Sequence, residues 1–185
     1  MLARNGCVNE AIAERVPTLA GDIPESFEAL YERTFPKVYA YVASLLRDRA
    51  AAEDVTSQAF ERAYRKRRSY RATRGSAEAW VFGIARNAAL DELRKRKRRA
   101  RLEGEPADTV SPSLDDAAEG ALRRAAVREA LAGLDGAERD LVALKFMGGL
   151  SNAEIARVLG LSESNAGTKL HRTLTKLREA CHDRA

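Results

Sequence analysis

The residues best suited to chemistry in this chain are a run of basic side chains from Arg94 to Arg101, where seven of eight positions are Lys or Arg. Guanidinium and ammonium groups at this density bind phosphate oxygens. The preceding residues, from Ser76 onward, place apolar side chains at helical spacing, with Ser76 as N-cap and Glu78 as an acid in the first turn. The sequence therefore predicts one helix over 76–101, anchored in a core at one end and positively charged at the other. Considered alone, the basic run could equally be a solvated helix end or a frayed tail.

Charge is distributed unevenly along the 185 residues, whose net charge is +5. Residues 60–101 carry 15 basic and 4 acidic side chains, a net charge of +11. Residues 102–120 carry 6 acidic side chains and no basic ones. Such a concentration of positive charge is an electrostatic footprint for nucleic acid. The acidic segment that follows could shield this footprint when no nucleic acid is bound.

A helix-turn-helix is predicted between residues 150 and 177. Ser151 and Glu154 form a capping-box pattern, Gly160 suits a sharp left-handed turn, and Ser162 caps the next helix. That second helix has an apolar face at spacings of four, four and three, formed by Ala166, Leu170, Leu174 and Leu177. Its opposite face is polar and mildly basic, which fits a helix inserted into a DNA major groove. The alternative is a helical hairpin with a solvated outer face.

The pattern of the whole chain is all-α, since strand signals are nearly absent. Composition divides it into a flexible tail (1–24, with a short helix near 10–16), a helical domain (25–101), an acidic, proline-containing linker (102–120) and a smaller helical domain (121–185). In the first domain, a helix is expected from Ser26 to about Arg47.

Pro36 is expected to bend or divide that first helix. A second helix is predicted over 50–68. A polar loop, SYRATRG, follows and leads to the basic helix.

Neither a metal site nor a cofactor is predicted. The two cysteines, Cys7 and Cys181, are far apart and not in a CxxC pair, and there are only two histidines. This pattern suits a reducing cytoplasm, and the absence of a long apolar run or a signal peptide predicts a soluble, cytoplasmic protein. No nucleophile with an adjacent base and no phosphate-binding loop is found, so the chain is not expected to be an enzyme.

Three segments resemble bacterial RNA polymerase sigma factors of the extracytoplasmic-function (ECF) group. AAEDVTSQAFERAYR is similar to the region-two helix that holds the β′ clamp of the polymerase. AWVFGIARNAALDELRKRKRR is similar to the helix that reads the −10 promoter element, and LSNAEIARVLGLSESNAGTKLHRTLTKLRE is similar to the region-four helix-turn-helix that reads the −35 element. The chain departs from the family pattern at two positions. The family often has Gln where this chain has Ser57, and it often has a basic residue where this chain has Gly167.

The resemblance implies a two-domain sigma fold and three sets of contact residues. Core polymerase, through its β′ clamp and β flap, would be bound with the help of Asp54, Gln58, Arg62 and Arg65. The −10 region would be contacted by Tyr70, Arg74, Ser76, Asn87, Asp91, Arg94, Lys95 and Arg98. The −35 region would be contacted by Ser164, Asn165, Thr168, Lys169, His171 and Arg172.

By the same resemblance, the loop from Tyr70 to Ser76 and the nearby Asn87 would take an unstacked base of the non-template strand. Asn87 could instead be a buried packing group, and Trp80 is expected in the core. The basic run would contact phosphates as a flexible series of charges. ECF sigma factors are commonly held inactive by an anti-sigma factor, so such a partner is expected.

Two other classes of function are compatible with parts of the sequence. A stand-alone helix-turn-helix regulator would account for the second domain, but it leaves the first two family-like segments unexplained. A sigma mimic that sequesters an anti-sigma factor would account for the fold, but the dense basic run argues against it.

Limited proteolysis tests the predicted linker. Because residues 102–120 are acidic and contain Pro106 and Pro112, we expect first cleavage in this window and two stable fragments. Mass spectrometry of the early fragments locates the cut. A first cut elsewhere, or a single protected core, would contradict the predicted organisation.

Overall fold

The computed structural model describes residues 26–103 and 121–182, and these residues form helices with no strand among them. In chain order the helices are α1 (Phe27–Leu46), α2 (Arg49–Lys66), α3 (Ala77–Glu103), α4 (Ala121–Ala132), α5 (Gly136–Phe146), α6 (Asn152–Leu159) and α7 (Glu163–His182). Two 3-10 turns, Arg67–Ser69 and Ala72–Arg74, connect α2 to α3. The predicted all-α fold is confirmed. The predicted tail, its short helix and residues 104–120 of the linker lie outside the described residues.

Helices α1, α3 and α7 each begin just after a serine that the sequence predicts as an N-cap. The side-chain oxygens of Ser26, Ser76 and Ser162 each accept a hydrogen bond from the backbone N–H three residues ahead, at 3.1, 3.2 and 3.3 Å. Ser151 and Glu154 form the predicted capping box at the start of α6. Each cap satisfies a backbone donor that would otherwise lack a partner inside the helix.

Pro36 does not divide the first helix, because α1 continues through it from Phe27 to Leu46. A proline inside a helix removes one hydrogen bond and costs about 3 kcal/mol. Burial on both sides offsets this cost. Leu30 and Thr34 precede the proline, Val38 and Tyr41 follow it, and all four are completely buried.

Helices α1, α2 and α3 pack against one another as the first helical group. Fully buried alanines, such as Ala59 and Ala63 on α2 and Ala85 and Ala89 on α3, allow the helix axes to approach closely. Aromatic rings join α1 to α2, with centroids 4.9 to 5.6 Å apart; they belong to Phe27, Tyr31, Phe35, Phe60 and Tyr64. These contacts pack α1, α2 and α3 into one three-helix unit.

Helix α7 is central to the second helical group, since it contacts α4, α5 and α6. Gly160 ends α6 in the left-handed region, at φ 69°, as the turn of the helix-turn-helix requires. The N–H of Leu161 then donates to the carbonyl of Ala156 at 2.8 Å, which closes the turn. Ala166 and Leu170 on α7 are buried, at 1 % and 6 % exposed.

The two groups share one buried core. Helix α5 contacts α1, and α6 contacts α3. Leu144, Leu150 and Ile155 from the second group belong to the same cluster of buried residues as Phe82 on α3. The sequence does not predict this contact. The exact domain boundaries stay a prediction.

Gly148, in the turn between α5 and α6, provides a test of this packing. A Cβ at this position would lie 2.6 Å from the Leu144 carbonyl oxygen and 3.2 Å from Cζ of Phe82. Gly148→Ala should therefore lower the free energy of unfolding by about 1–3 kcal/mol. Gly136→Ala is the matched control, because a Cβ at Gly136 meets nothing within 4 Å. Chemical denaturation measures both, and equal effects would contradict the crowding at Gly148.

Candidate nucleic-acid and polymerase interfaces

A cavity of about 540 Å³ lies where the two 3-10 turns meet the first half of α3. Its wall is formed by Ser69, Tyr70, Arg71, Arg74, Gly75, Ala79, Trp80, Gly83, Ile84, Asn87, Arg157 and Val158. Aromatic, amide and guanidinium groups meet here in one concave site. Such a set can stack on an unpaired base and hydrogen-bond to its edge.

Gly83 is one reason that the cavity is open at its helical wall. No other group lies within 4 Å of the position where a Cβ would be. A glycine inside a helix costs about 1 kcal/mol relative to alanine. Because a Cβ would have room at position 83, packing within the fold does not explain the glycine, whose effect is to leave the cavity open. In the sequence, the only signal for this role of Gly83 is that a poor helix former interrupts an otherwise regular apolar stripe.

Tyr70 shapes the loop from inside. Its side chain is 4 % exposed, and its hydroxyl donates to the Gly75 carbonyl at 2.9 Å. Its ring centroid is 5.6 Å from that of Trp80. Trp80 is half-buried and also lines the cavity, so it combines core packing with an exposed edge. The structure thus places Tyr70 as a support of the loop.

Asn87 is exposed and faces the cavity, which excludes the alternative that it is a buried packing group. Arg74 is also exposed in the cavity wall. Both side chains have the exposure that contact with DNA requires.

Ser76 has two partners, and one of them lies in the second helical group. Its oxygen caps α3, and its hydroxyl donates to Glu154 on α6. Burial raises the pKa of Glu154, but hydrogen bonds from Ser76 and Ser151 outweigh burial and leave that pKa below its usual value. Glu154 therefore accepts these bonds as a carboxylate at neutral pH.

The basic run is helical as far as the described part of α3 extends, so the expectation of a flexible series of charges is wrong. Arg96 bonds to Asp48 at 2.9 Å and to Glu92 at 3.3 Å, which holds it against the bundle. Hydrogen bonding from the Ala51 N–H, together with Arg96, keeps the pKa of Asp48 low. The helix consequently presents its remaining charges at fixed intervals.

Three predicted contacts on this part of α3, Arg94, Lys95 and Arg98, are exposed. Asp91 is also exposed, but it pairs with Arg94 at 2.8 Å. A carboxylate beside phosphates would repel them, so in this position Asp91 orients Arg94.

The predicted −35 residues lie on the outer face of α7. All six are exposed, namely Ser164, Asn165, Thr168, Lys169, His171 and Arg172. Thr173 on the same helix is buried, and its hydroxyl donates to the Lys169 carbonyl at 2.9 Å. A capped helix with one buried face can hold the opposite face in a reproducible orientation.

The predicted polymerase contacts occupy an exposed part of α2. Asp54, Gln58, Arg62 and Arg65 are all exposed, and Arg65 pairs with Glu61. The buried face of the same helix, including Val55, Ala59 and Phe60, attaches it to the core.

Comparison with known proteins identifies the family. Residues 30–99 match Sigma-70 region 2, and residues 124–177 match Sigma-70, region 4. The chain is 30 % identical over 158 residues to the ECF RNA polymerase sigma factor SigK of Mycobacterium ulcerans, with 83 % of this chain and 84 % of that protein covered. It is 32 % identical over 151 residues to the ECF RNA polymerase sigma factor SigL of Mycobacterium tuberculosis, covering 81 % and 85 %. The chain belongs to the ECF sigma factors.

Solved structures agree with this fold. The sigma factor RpoE of Bartonella quintana, in complex with the anti-sigma factor NepR, has a TM-score of 0.71 at 24 % identity, with 83 % of this chain and 95 % of that chain covered. CnrH, in complex with the cytosolic domain of CnrY, has a TM-score of 0.62 at 26 % identity, with coverage of 86 % and 89 %. The two-domain sigma fold implied by the resemblance is confirmed.

Two further observations concern the described residues only. None of their helices is long and apolar enough to cross a membrane. Within the same ranges no group of three or more His, Cys, Asp or Glu side chains could hold a metal ion.

The exposed charges of α3 and α7 should make different contributions to promoter binding. Neutralising Lys95 and Arg98 should reduce the slope of log affinity against log salt by roughly two, about 0.9 for each duplex phosphate that is no longer neutralised, and weaken all promoters about equally. Arg172→Ala should cost on the order of 1–3 kcal/mol on the preferred −35 sequence and much less on others. Fluorescence binding measured with the sigma factor on core polymerase checks both effects.

Arg178→Ala is the matched control for the α7 substitution, since Arg178 is an exposed arginine of the same helix outside the predicted set. It should leave −35 preference unchanged. If Arg172→Ala weakens preferred and scrambled −35 sequences equally, Arg172 contacts phosphates and does not read bases.

Proposed function

We propose that this ECF sigma factor binds core RNA polymerase through α2, directs it to promoters through α3 and α7, and helps to open the DNA at the −10 element. Its role is recognition, not catalysis, and it acts in the cytoplasm. The observation that carries the proposal is the placement of the three predicted contact sets. Apart from the buried Tyr70 and the half-buried Ser76, every residue in them is exposed. The three sets lie on different elements, namely α2, the loop with α3, and α7.

The cavity beside Asn87 supports the −10 assignment. Its aromatic and polar walls suit one unstacked base, which a duplex would hide. The exposed basic side chains further along α3 would hold the adjacent phosphates and set the orientation of the strand. On the second domain, α7 would enter the major groove at the −35 element, and that domain would contact the β flap.

An anti-sigma factor is the other proposed partner. CnrH, which shares 26 % identity with this chain, was solved in complex with the cytosolic domain of CnrY, and RpoE was solved with an anti-sigma factor. We propose that a protein of this class also controls the present chain.

A transcription assay with core polymerase and a library of promoters tests the function directly. Specific initiation that depends on this chain would support it. Operator binding by the chain alone, without association with core polymerase, would favour the stand-alone regulator. Association with an anti-sigma factor but no promoter opening would favour the sigma mimic.

Charge reversal on α2 tests the polymerase contact. Asp54→Arg combined with Arg62→Asp should weaken binding to core polymerase, because both exposed charges would meet a surface that complements the original signs. Helical content, measured by circular dichroism, should not change.

The matched control is Arg49→Glu combined with Glu53→Arg, which reverses an exposed pair on the same helix and preserves its i,i+4 spacing. Both double variants keep the net charge of the chain. Binding is measured by titration with labelled sigma factor. Unchanged affinity for the Asp54 and Arg62 variant would show that this part of α2 is not the interface.

A further inference from the structure

The segment that connects α2 to α3 carries a second concentration of positive charge, separate from the basic run of α3. Residues 64–74 hold six Lys or Arg side chains and no acidic one. Of these six, only Arg65 and Arg74 belong to a predicted contact set. Lys66 and Arg68 are exposed, and no carboxylate among the described residues pairs with either of them. Cations that no carboxylate neutralises are available to phosphate oxygens.

Tyr64, in the last turn of α2, presents an aromatic ring beside these charges and is 50 % exposed. The guanidinium carbon of Arg67 lies over the ring, 4.1 Å from its centroid, and Nη1 of Arg67 donates to the Tyr64 carbonyl at 2.9 Å. The Phe27 ring supports Tyr64 from α1, with centroids 5.2 Å apart. We call Tyr64 and Arg67 the Tyr64 platform. Aromatic rings and guanidinium planes are the groups on which unpaired bases stack.

A single exposed tyrosine is ordinary on a protein surface, but two observations distinguish Tyr64. Its ring carries a guanidinium inside a basic segment without acidic residues, a combination that suits single-stranded nucleic acid. It also lies roughly 80–160° around α2 from the four proposed polymerase contacts, at 100° per residue. The platform and the proposed polymerase contacts are therefore on different sides of the helix.

The platform is continuous with the cavity. Ser69 and Arg71 belong to the cavity wall. Nη1 of Arg71 donates to the carbonyls of Arg68 and Tyr70, at 2.9 and 3.0 Å, which fixes the backbone that connects the two places. From Tyr64 to Ser69 the chain rises roughly 9 Å, at 1.5–2.0 Å per residue. Stacked nucleotides are roughly 3.4 Å apart, so the platform lies two to three nucleotides from the cavity.

The platform and the basic run of α3 lie on opposite sides of the cavity. Arg96 in the basic run pairs with Asp48, the N-cap of α2, so the end of α3 lies beside the start of α2. Tyr64 is near the other end of α2, roughly 24 Å from Asp48. The first half of α3, which lines the cavity, lies between them. A strand that passes through the cavity can therefore meet basic side chains on both sides.

We propose that the Tyr64 platform, together with Lys66 and Arg68, is a second single-strand site for the opened non-template strand. Toward the −35 element the promoter stays duplex, so this site takes nucleotides on the downstream side of the base in the cavity. That assignment rests on the proposed function. One base stacks on the platform and the two cations bind neighbouring phosphates, whatever the sequence, because every base has a π face. The site thereby opposes re-pairing of the strands.

Fork-shaped promoter DNA tests the site, with the full chain bound to core polymerase. Each probe is duplex down to the −10 element, where the single-stranded non-template strand either ends or continues as a tail of about six thymidines, twice the spacing to the platform. Tyr64→Ala should weaken binding of the tailed probe roughly tenfold and leave the tailless probe unchanged. Tyr64→Phe should bind both probes like the wild type, since stacking needs the ring and not the hydroxyl.

Phe146→Ala is the matched control, because it removes a 66 % exposed aromatic ring from α5. It should bind both probes like the wild type. Tyr64→Leu retains apolar contact with Phe27 but has no ring, so it should lose the tail as the alanine variant does. It provides the test if alanine disturbs the fold, which circular dichroism and thermal unfolding measure.

The two cations are tested on the same tailed probe. Lys66→Gln combined with Arg68→Gln should lower the slope of log affinity against log salt by roughly 1.4, about 0.7 for each single-strand phosphate. Cytidines in place of the thymidines should change the affinity by less than about twofold, because stacking and phosphate contacts tolerate any base.

Equal losses on tailed and tailless probes, or the same loss in Tyr64→Phe, would overturn stacking on the platform. If the Lys66 and Arg68 variant binds core polymerase more weakly and keeps its affinity for the tail, the segment meets an acidic protein surface and the proposed site is wrong.

The isolated full chain with an oligothymidine strand separates this site from the proposed function. Weaker binding by Tyr64→Ala, when no form of the chain supports initiation in the transcription assay, would support the site and refute the sigma role. Initiation that depends on the chain, together with unchanged tail binding in Tyr64→Ala, would support the sigma role and overturn the site.

Discussion

The structure depends on the burial of the first half of α3. Val81, Phe82 and Ala85 on this helix are completely buried, and they contribute to a core shared with α1, α2 and the second helical group. The second half of the same helix carries the basic run, whose Lys and Arg side chains are exposed except for that of Arg96. Because a helix is stiff over this length, fixing one half in the core also fixes the direction in which the charges point. The loop that forms the cavity is attached to the fixed end.

The contact between the two helical groups combines apolar and ionic parts. Phe82, Leu144 and Leu150 remove apolar surface from water, while Asp140 and Arg86 exchange hydration for each other. A buried ion pair contributes little net stability relative to well-packed apolar residues, but leaving one partner alone is costly. Ionic groups also become well solvated once the surfaces separate. The apolar part therefore contributes most of the stability of this contact.

The proposed contact surfaces share one structural principle, in which a rigid helix buries one face and presents the other. On α2 and on α7 the buried faces are mostly small or aliphatic, with Thr56 and Phe60 on α2 and Thr173 on α7 as the exceptions, and the exposed faces carry the charged groups. The cavity differs, because it is built from a loop and has aromatic rings in its wall. Rigid faces suit a polymerase surface and a duplex, whereas a concave site suits a base that has left its stack.

The sequence by itself determined the helices, most of their caps and the outward faces of α2 and α7. Periodicity and capping act over three or four residues, so they can be read from local spacing. The similarity of three segments to sigma factors supplied the candidate contacts, which local physics alone would have left as solvated faces. Tertiary structure decided that Pro36 lies inside one helix, that Tyr70 is buried and that Asn87 is exposed. It also decided the contacts of buried Asp140 with Tyr41 and Arg86, whose hydrogen bonds join residues 99 and 54 positions apart. No local pattern encodes such a contact, because it exists only after two separately periodic segments have packed together.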